Sequence, residues 1–289
     1  MRRADHQCGS RLPGTYDLRV PRVSVCIPVF NGAAYIGETL DSVLRQTMSD
    51  FDVVVVDNCS TDATCEIVES VGDSRVRLSV NEANIGPVGN WNRAVAACRS
   101  EVVKLVCADD ILYRTCLERQ IVHFESSSTV LAASLFDHIT AAGILVRREI
   151  GLRGFAGVYE RDEIVRRCVA KGQTLLGPPC AVMFRKDAHT AAGGFREDAH
   201  PIMDFDAWCR ILEHGQCAVD PMSLGAFRLH GGSVSTEKGR AMGRKVRELL
   251  RAMDVEQSGH PTLAGRLGML RSWLGDSSYL KHMRRSARA

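Results

Sequence analysis

The chain has 289 residues, 45% of them hydrophobic, with 37 Lys and Arg against 34 Asp and Glu for a formal net charge of +3. That length allows one large buried core with a smaller appendage, and the near balance of charge gives no global field that would select nucleic acid as a partner. Eleven cysteines, among them Cys26, Cys107, Cys168 and Cys209 in apolar or helical patterns, show neither the spacing of a secreted disulfide scaffold nor a close CxxC element, which points to reduced thiols in a cytoplasmic protein without structural zinc.

In chain order, residues 1–19 mix charge, Gly and Pro without periodicity and are expected to be a disordered tail. No apolar core follows Arg2 and Arg3, and no run in the chain approaches the ~18 to 20 apolar residues of a membrane-spanning helix, so a soluble protein is expected. Residues 23–28 are short, β-branched and closed by a proline, and predict a buried strand. Ile36, Leu40, Val43 and Leu44 recur at one-face helical spacing, and 51–56 form a second continuous apolar strand ending at Asp57. Ser60, Thr61 and Asp62 offer caps for a helix through Val71; 76–80 predict a strand, 87–98 a helix and 102–106 a fourth strand. Continuous apolar strands separated by helices imply a mainly parallel, doubly wound α/β sheet.

The second half is less regular. Strands are expected over 130–136, 144–146, 181–184 and 225–229, and helices over 160–169 and 205–214. From about Lys238 the chain turns basic and helical, with Val246, Leu249, Leu250 and Met253 on one side and Arg244, Lys245, Arg247 and Arg251 elsewhere. Such a helix covers a domain or rests on an anionic membrane surface.

Ligands of open parallel sheets bind beyond the carboxyl ends of the strands. Those positions are polar here: Pro28, Phe30 and Asn31 after the first strand, Asp57 and Asn58 after the second, Asp109 and Asp110 after the fourth. Adjacent carboxylates repel each other unless a cation or basic group lies by them, and Mg2+ or Mn2+ held by one or two carboxylates plus substrate phosphates would resolve the conflict. The alternative for Asp109 or Asp110 is an N-cap on a helix starting near Leu112.

Five segments in succession, VSVCIPVFN (23–31), FDVVVVDNCSTD (51–62), NIGPVGN (84–90), KLVCADD (104–110) and MDFDAWCR (203–210), resemble the ordered motifs of family 2 glycosyltransferases with the GT-A fold, over roughly 20–235. The resemblance implies a GT-A domain over 20–235, with a nucleotide-binding half at 20–111 and an acceptor-side half at 112–235, followed by a basic helical extension at 236–289. It implies an inverting enzyme that moves a sugar from a nucleotide diphosphate donor, UDP or dTDP favoured, to a hydroxyl of a glycan or lipid-linked acceptor in surface polysaccharide, glycolipid or glycoprotein assembly. Work at the inner face of the membrane, with peripheral contact, would suit such a role.

Carried over residue by residue, the resemblance places Pro28, Phe30, Asn31, Asp57 and Asn84 at the nucleotide, Asp110 and Asp109 at a divalent cation with Asp110 the direct ligand, Asp109 also near the donor sugar, His230 at the diphosphate or metal, and Asp204 as general base. Cys107 stands where many relatives carry a further acid, and Met203 where they carry the neighbour of the base. Without that neighbour, any tuning of Asp204 must come from desolvation. Phe30 read alone is equally a core residue; without the resemblance Asp204 reads rather as a helix cap and Asp206 as a surface partner of Arg210, and Trp208 and Phe195 either stack on a sugar or pack in the core. Lys104 is expected on a strand face or at the nucleotide edge. The rival functions are a non-catalytic nucleotide-sugar-binding protein, which the acid at 204 argues against, and a nucleotidyltransferase; the GxGxxG turn of a dinucleotide enzyme is missing after the first strand.

Overall fold

The computed structural model describes residues 20–232 and 239–272; the expected tail over 1–19, and the parts of the loop after His230 and of the C-terminal extension that fall within 233–238 and 273–289, lie outside them. The first half follows the predicted alternation: β1 (Val23–Val29), α1 (Ile36–Leu44), β2 (Phe51–Asp57), α2 (Thr64–Ser70), β3 (Val76–Val80), α3 (Gly86–Ala96) and β4 (Val102–Leu105). β1 runs parallel to β2 and β4, and β2 parallel to β3.

Every residue of β1 and β2 is buried. Successive side chains of a strand point to opposite faces, and here both faces are covered. Val23, Val25, Ile27 and Val29 pack with Val53, Val55, Ile36 and Leu40 in one layer, while Cys26, Val54 and Val56 pack with Val88 and Val95 of α3 in the other. This is why the runs are apolar without alternation.

The second half contains β5 (Ile111–Leu112), α4 (Cys116–Ile121), β6 (Thr129–Thr140), β7 (Leu145–Ile150), β8 (Gly157–Tyr159), α5 (Arg161–Lys171), β9 (Val182–Arg185), α6 (Lys186–Ala191), α7 (Met203–Ile211), β10 (Gln216–Leu229) and α8 (Gly239–Ser258). The sheet order is β3-β2-β1-β4-β9-β6-β10-β5, with β7 on β6 and β8 on β10. The second half is mixed: β10 runs parallel to β6, whereas β9 is antiparallel to both β4 and β6, and β5, β7 and β8 are antiparallel to their partners. β6 outruns the expected 130–136 because Asp137, His138 and Thr140 are buried in it despite their polarity. β10 begins nine residues before the expected 225; its pairing with β6 shifts register between Asp220 and Ser223, which lets the strand pass Pro221.

At the carboxyl ends of β1, β2 and β3 a network of asparagines joins the loops. Asn90 Nδ2 donates to the carbonyls of Val56 at 3.1 Å and Val29 at 3.4 Å. Asn81 Nδ2 donates to Asn90 Oδ1 and to Asn58 Oδ1, and Asn58 Nδ2 donates to Asn84 Oδ1 at 2.8 Å. These contacts set where the β1 and β2 loops leave the sheet. The C-terminal helix packs on this body: Leu250 and Met253 are buried in the layer that holds α5, with Val246 and Leu249 against it. No helix among the described residues is long and apolar enough to cross a membrane.

Removal of the Asn90 amide leaves the buried Asn81 amide one acceptor short and strips a donor from the ends of two adjacent strands. Asn90→Ala is expected to lower unfolding free energy by about 2 to 3 kcal/mol, read as a lower urea midpoint at unchanged slope.

Candidate active site

A cavity of about 700 Å³ opens beyond the carboxyl ends of β1 and β4. Its walls are Pro28, Phe30 and Asn31 after β1, Tyr35 before α1, Cys107, Ala108 and Asp109 after β4, Asp204 with Met203 and Phe205 at the start of α7, His230 past β10, and Met242 and Val246 of α8. Of the residues expected at a site, Pro28, Phe30, Asn31, Asp109, Asp204 and His230 are therefore brought together from four separate stretches of chain.

Phe30 is 49% exposed at the mouth of the cavity, which rules out a core role. Asn31 adopts the left-handed conformation, φ 51°, which asparagine tolerates better than most residues. Its backbone N–H donates to Ser60 Oγ and its Oδ1 accepts from the Thr61 N–H, both at 2.8 Å. The β1 and β2 loops are thereby clamped to each other.

Asp57 and Asn84 do not line the cavity. The Asp57 carboxylate is buried and accepts from the Ser60 N–H at 2.8 Å and the Ser60 hydroxyl at 2.5 Å; Asn84 Oδ1 accepts from Asn58 Nδ2 and the Gly86 N–H. Each braces a neighbouring loop segment instead. Lys104 is likewise buried away from the cavity, donating to Gln120 Oε1 and the Cys180 carbonyl, each at 2.8 Å.

Asp109 faces the cavity, whereas Asp110 is fully buried behind it and accepts the Arg228 N–H on Oδ1 at 3.0 Å. The helix-cap alternative fails, because Ile111–Leu112 is a strand paired with β10 and the next helix starts only at Cys116. Burial, followed by the charge of Asp109, pushes the Asp110 carboxyl well above the usual carboxylate range.

Cys107, Asp109 and Asp110 each bring a ligand atom within 4.8 Å of the others. Asp110 Oδ2 is buried and accepts no N–H or O–H, its neighbour being the weakly donating Cys180 thiol. An unsatisfied buried carboxylate oxygen next to a second carboxylate suits a hard divalent cation. Burial, then the nearby carboxylates, push the Cys107 thiol up, so the two aspartates are the donors that fit Mg2+ or Mn2+.

Arg228 holds this corner together, and neither it nor its partners Glu38 and Ala141 were anticipated. Its side chain is buried; Nε donates to the Asp109 carbonyl at 2.8 Å, one terminal nitrogen to the Ala141 carbonyl at 2.9 Å, and the other to Glu38 at 2.6 Å. The guanidinium lies 4.9 Å from the Tyr35 ring centroid, and that ring packs 4.8 Å from His230. His230 Nε2 in turn meets Asp109 Oδ2 at 2.8 Å. The signal was present in the sequence: an arginine inside the apolar run 225–229 is a charge that burial obliges to find partners.

Asp204 lies half-buried in the cavity wall at the start of α7, with Oδ1 accepting the Phe205 N–H at 2.8 Å. Burial raises its pKa to about 6 against the opposing backbone hydrogen bonds, and Asp206 adds only the last contribution. Asp206 is not a surface residue: it is buried between Arg210, at 2.6 Å and 3.0 Å, and Arg196, at 2.6 Å. Trp208 and Phe195 belong to the buried aromatic cluster with Phe184 and His189 and do not reach the cavity.

The sequence profile described as Glycosyl transferase family 2 matches residues 24–191, and the chain belongs to that family: it is a nucleotide-sugar glycosyltransferase of GT-A fold. The succinoglycan biosynthesis protein ExoO of Rhizobium meliloti is 32% identical over 220 residues, covering 75% of this chain and 63% of that protein. Among solved structures, residues 1–349 of TarS from S. aureus with UDP-GlcNAc superpose with a TM-score of 0.65 at 20% identity, covering 88% of this chain and 73% of that one. The mannosyltransferase PcManGT from Pyrobaculum calidifontis, in complex with GDP-Man and Mn2+, gives 0.58 at 16% identity, covering 93% and 74%.

Replacing the Arg228 guanidinium by an apolar chain leaves two carbonyls and Glu38 without their donor. Arg228→Met is expected to cost about 3 kcal/mol of stability and to weaken nucleotide binding, with Arg228→Lys intermediate in both; thermal unfolding and calorimetric nucleotide titration of the two variants check this.

Proposed function

We propose that the protein transfers a sugar with inversion at the anomeric carbon from a nucleoside diphosphate donor to an acceptor hydroxyl, with Asp204 as general base. The observation that carries this reading is one cavity that holds Asp109 and His230 together with Asp204, whose burial sets its pKa at about 6. A carboxylate so tuned is ionised at neutral pH yet basic enough to take a proton from an attacking hydroxyl.

Pro28, Phe30 and Asn31 form the wall against which the nucleotide would lie, the exposed Phe30 ring offering a face to the base. Asp57 and Asn84 would act on it indirectly, by holding the loops that carry that wall. Asp109, seconded by Asp110, would hold a divalent cation, which when bound neutralises charge developing on the leaving diphosphate. His230 fixes the Asp109 carboxylate through its 2.8 Å contact. With a single base and direct displacement, the acceptor oxygen approaches opposite the departing diphosphate, and the configuration inverts.

UDP or dTDP is the favoured carrier; TarS binds UDP-GlcNAc and PcManGT GDP-Man, so the base is a matter for the donor screen. The likeness to a succinoglycan biosynthesis protein supports a role in polysaccharide assembly; single additions to a surface polysaccharide, glycolipid or glycoprotein, on a glycan or lipid-linked acceptor, are the role we assign. Free thiols at every described cysteine suit a reducing compartment such as the cytoplasm.

Purified protein offered a panel of nucleotide sugars with Mn2+ or Mg2+ is expected to release nucleoside diphosphate from one donor and no pyrophosphate; pyrophosphate release would instead identify a nucleotidyltransferase. Chelation and Asp109→Ala should each remove that release. Asp204→Asn should lower kcat by ~10² to 10⁴-fold while leaving nucleotide affinity unchanged; an equal loss in binding would argue against its role as base. Because the Asp204 carboxyl protonates as pH falls through about 6, log(kcat/KM) should drop with unit slope below that pH, and the limb should vanish in Asp204→Asn.

A further inference from the structure

The helix over 263–272 is turned inside out relative to an ordinary surface helix. Its buried positions are Gly265 and Gly268, with Met269 packed against the core. A side chain at Gly268 would collide with the Val169 carbonyl of α5, and one at Gly265 with the Asp254 carboxylate of α8. Its leucines face outward: Leu263 is 74% exposed, Leu267 44% and Leu270 52%. At 100° per residue these three fall in one narrow stripe, and the exposed Arg266 and Arg271 flank it on either side.

This arrangement is held rigidly. Asp254 is buried and accepts the Thr262 N–H and hydroxyl, each at 2.8 Å, and Thr262 Oγ1 accepts the Gly265 N–H at 2.9 Å, capping the helix start. No described residue covers this apolar stripe, and such a stripe on an anchored helix suits an external partner. Charge selects which one. Residues 239–289 hold 11 Lys and Arg against 4 Asp and Glu, leaving 26 against 30 in the rest of the chain. A second copy docked stripe to stripe would bring Arg266 and Arg271 of both chains together, whereas an anionic bilayer supplies hydrocarbon to the leucines and phosphates to the arginines that border them.

We propose that the 263–272 helix docks the protein on an anionic lipid surface, its leucine stripe entering the headgroup boundary between Arg266 and Arg271. α8 joins this helix to the site: Met242 and Val246 line the cavity, and Asp254, further along α8, clasps Thr262. The docking does not rest on the donor chemistry, and the leucines are not part of the cavity wall.

The test is co-sedimentation of the full chain with vesicles of phosphatidylcholine alone or mixed with an equal part of phosphatidylglycerol. The wild type is expected to partition to the mixed vesicles, to fall off with added salt, and to bind phosphatidylcholine weakly. The triple variant Leu263→Ser, Leu267→Ser, Leu270→Ser should lose about tenfold or more in partitioning, and Arg266→Gln with Arg271→Gln should lose the preference for the anionic lipid; nucleoside diphosphate release in solution should be unchanged in both. Three results would overturn the proposal: equal binding by wild type and the leucine variant, binding that survives the leucine changes but is lost on deleting 273–289, or a wild-type dimer in sedimentation velocity that the leucine variant returns to monomer.

Discussion

Burial of β1 and β2 on both faces is the constraint from which the site follows. A strand enclosed by two apolar layers holds few polar side chains along its length, here Ser24 bonded to Asp52, so most polar residues collect where it ends, and parallel strands end on the same edge. Val29 and Asp57 stand side by side in register at that edge. The Asn90 amide bonds the carbonyls of both strands there, adding to the Asn58 N–H that already meets Val29. The asparagine network is thus the joint between an apolar sheet and a polar crevice.

On the opposite side of the crevice the same problem is solved with charge. Asp110 and Arg228 are both buried, which is costly for either alone. Arg228 offsets the cost by donating to backbone carbonyls and to Glu38, and its own N–H serves Asp110. The carboxylate left facing the cavity, Asp109, is steadied by His230. Two charged residues that never touch the cavity therefore define the orientation of one that does. Asp204, on α7, is tuned by burial instead, since Met203 brings no second charge beside it.

The C-terminal helices extend this economy outward. α8 closes one side of the cavity with Met242 and Val246 and packs Leu250 and Met253 into the body. The glycines of the 263–272 helix permit a close approach to α5 and α8 that no larger residue allows, and this forces its leucines to the outside. Packing of the glycine face thereby sets the character of the exposed face.

The alternation of strands and helices through β4 was legible because local apolar runs carry it, and so was the cluster of Pro28, Phe30, Asn31, Asp109 and Asp204, through three of the five ordered motifs, with His230 placed by the resemblance after the last strand. Antiparallel β9 between β4 and β6, the passage of β10 past Pro221, and the split between outward Asp109 and buried Asp110 were not legible, because each depends on pairing between residues far apart in the chain. Asp57 and Asn84 show the same limit: their place at strand ends is a matter of sequence, but Ser60 and Asn58 engage their side chains only once the loops fold together. Sequence by itself determined the family, the layered sheet and the identity of the polar residues at its edge. Tertiary structure decided which of those residues meet the cavity, since burial, hydrogen-bond partners and hence proton affinity arise from neighbours that only the folded chain brings near.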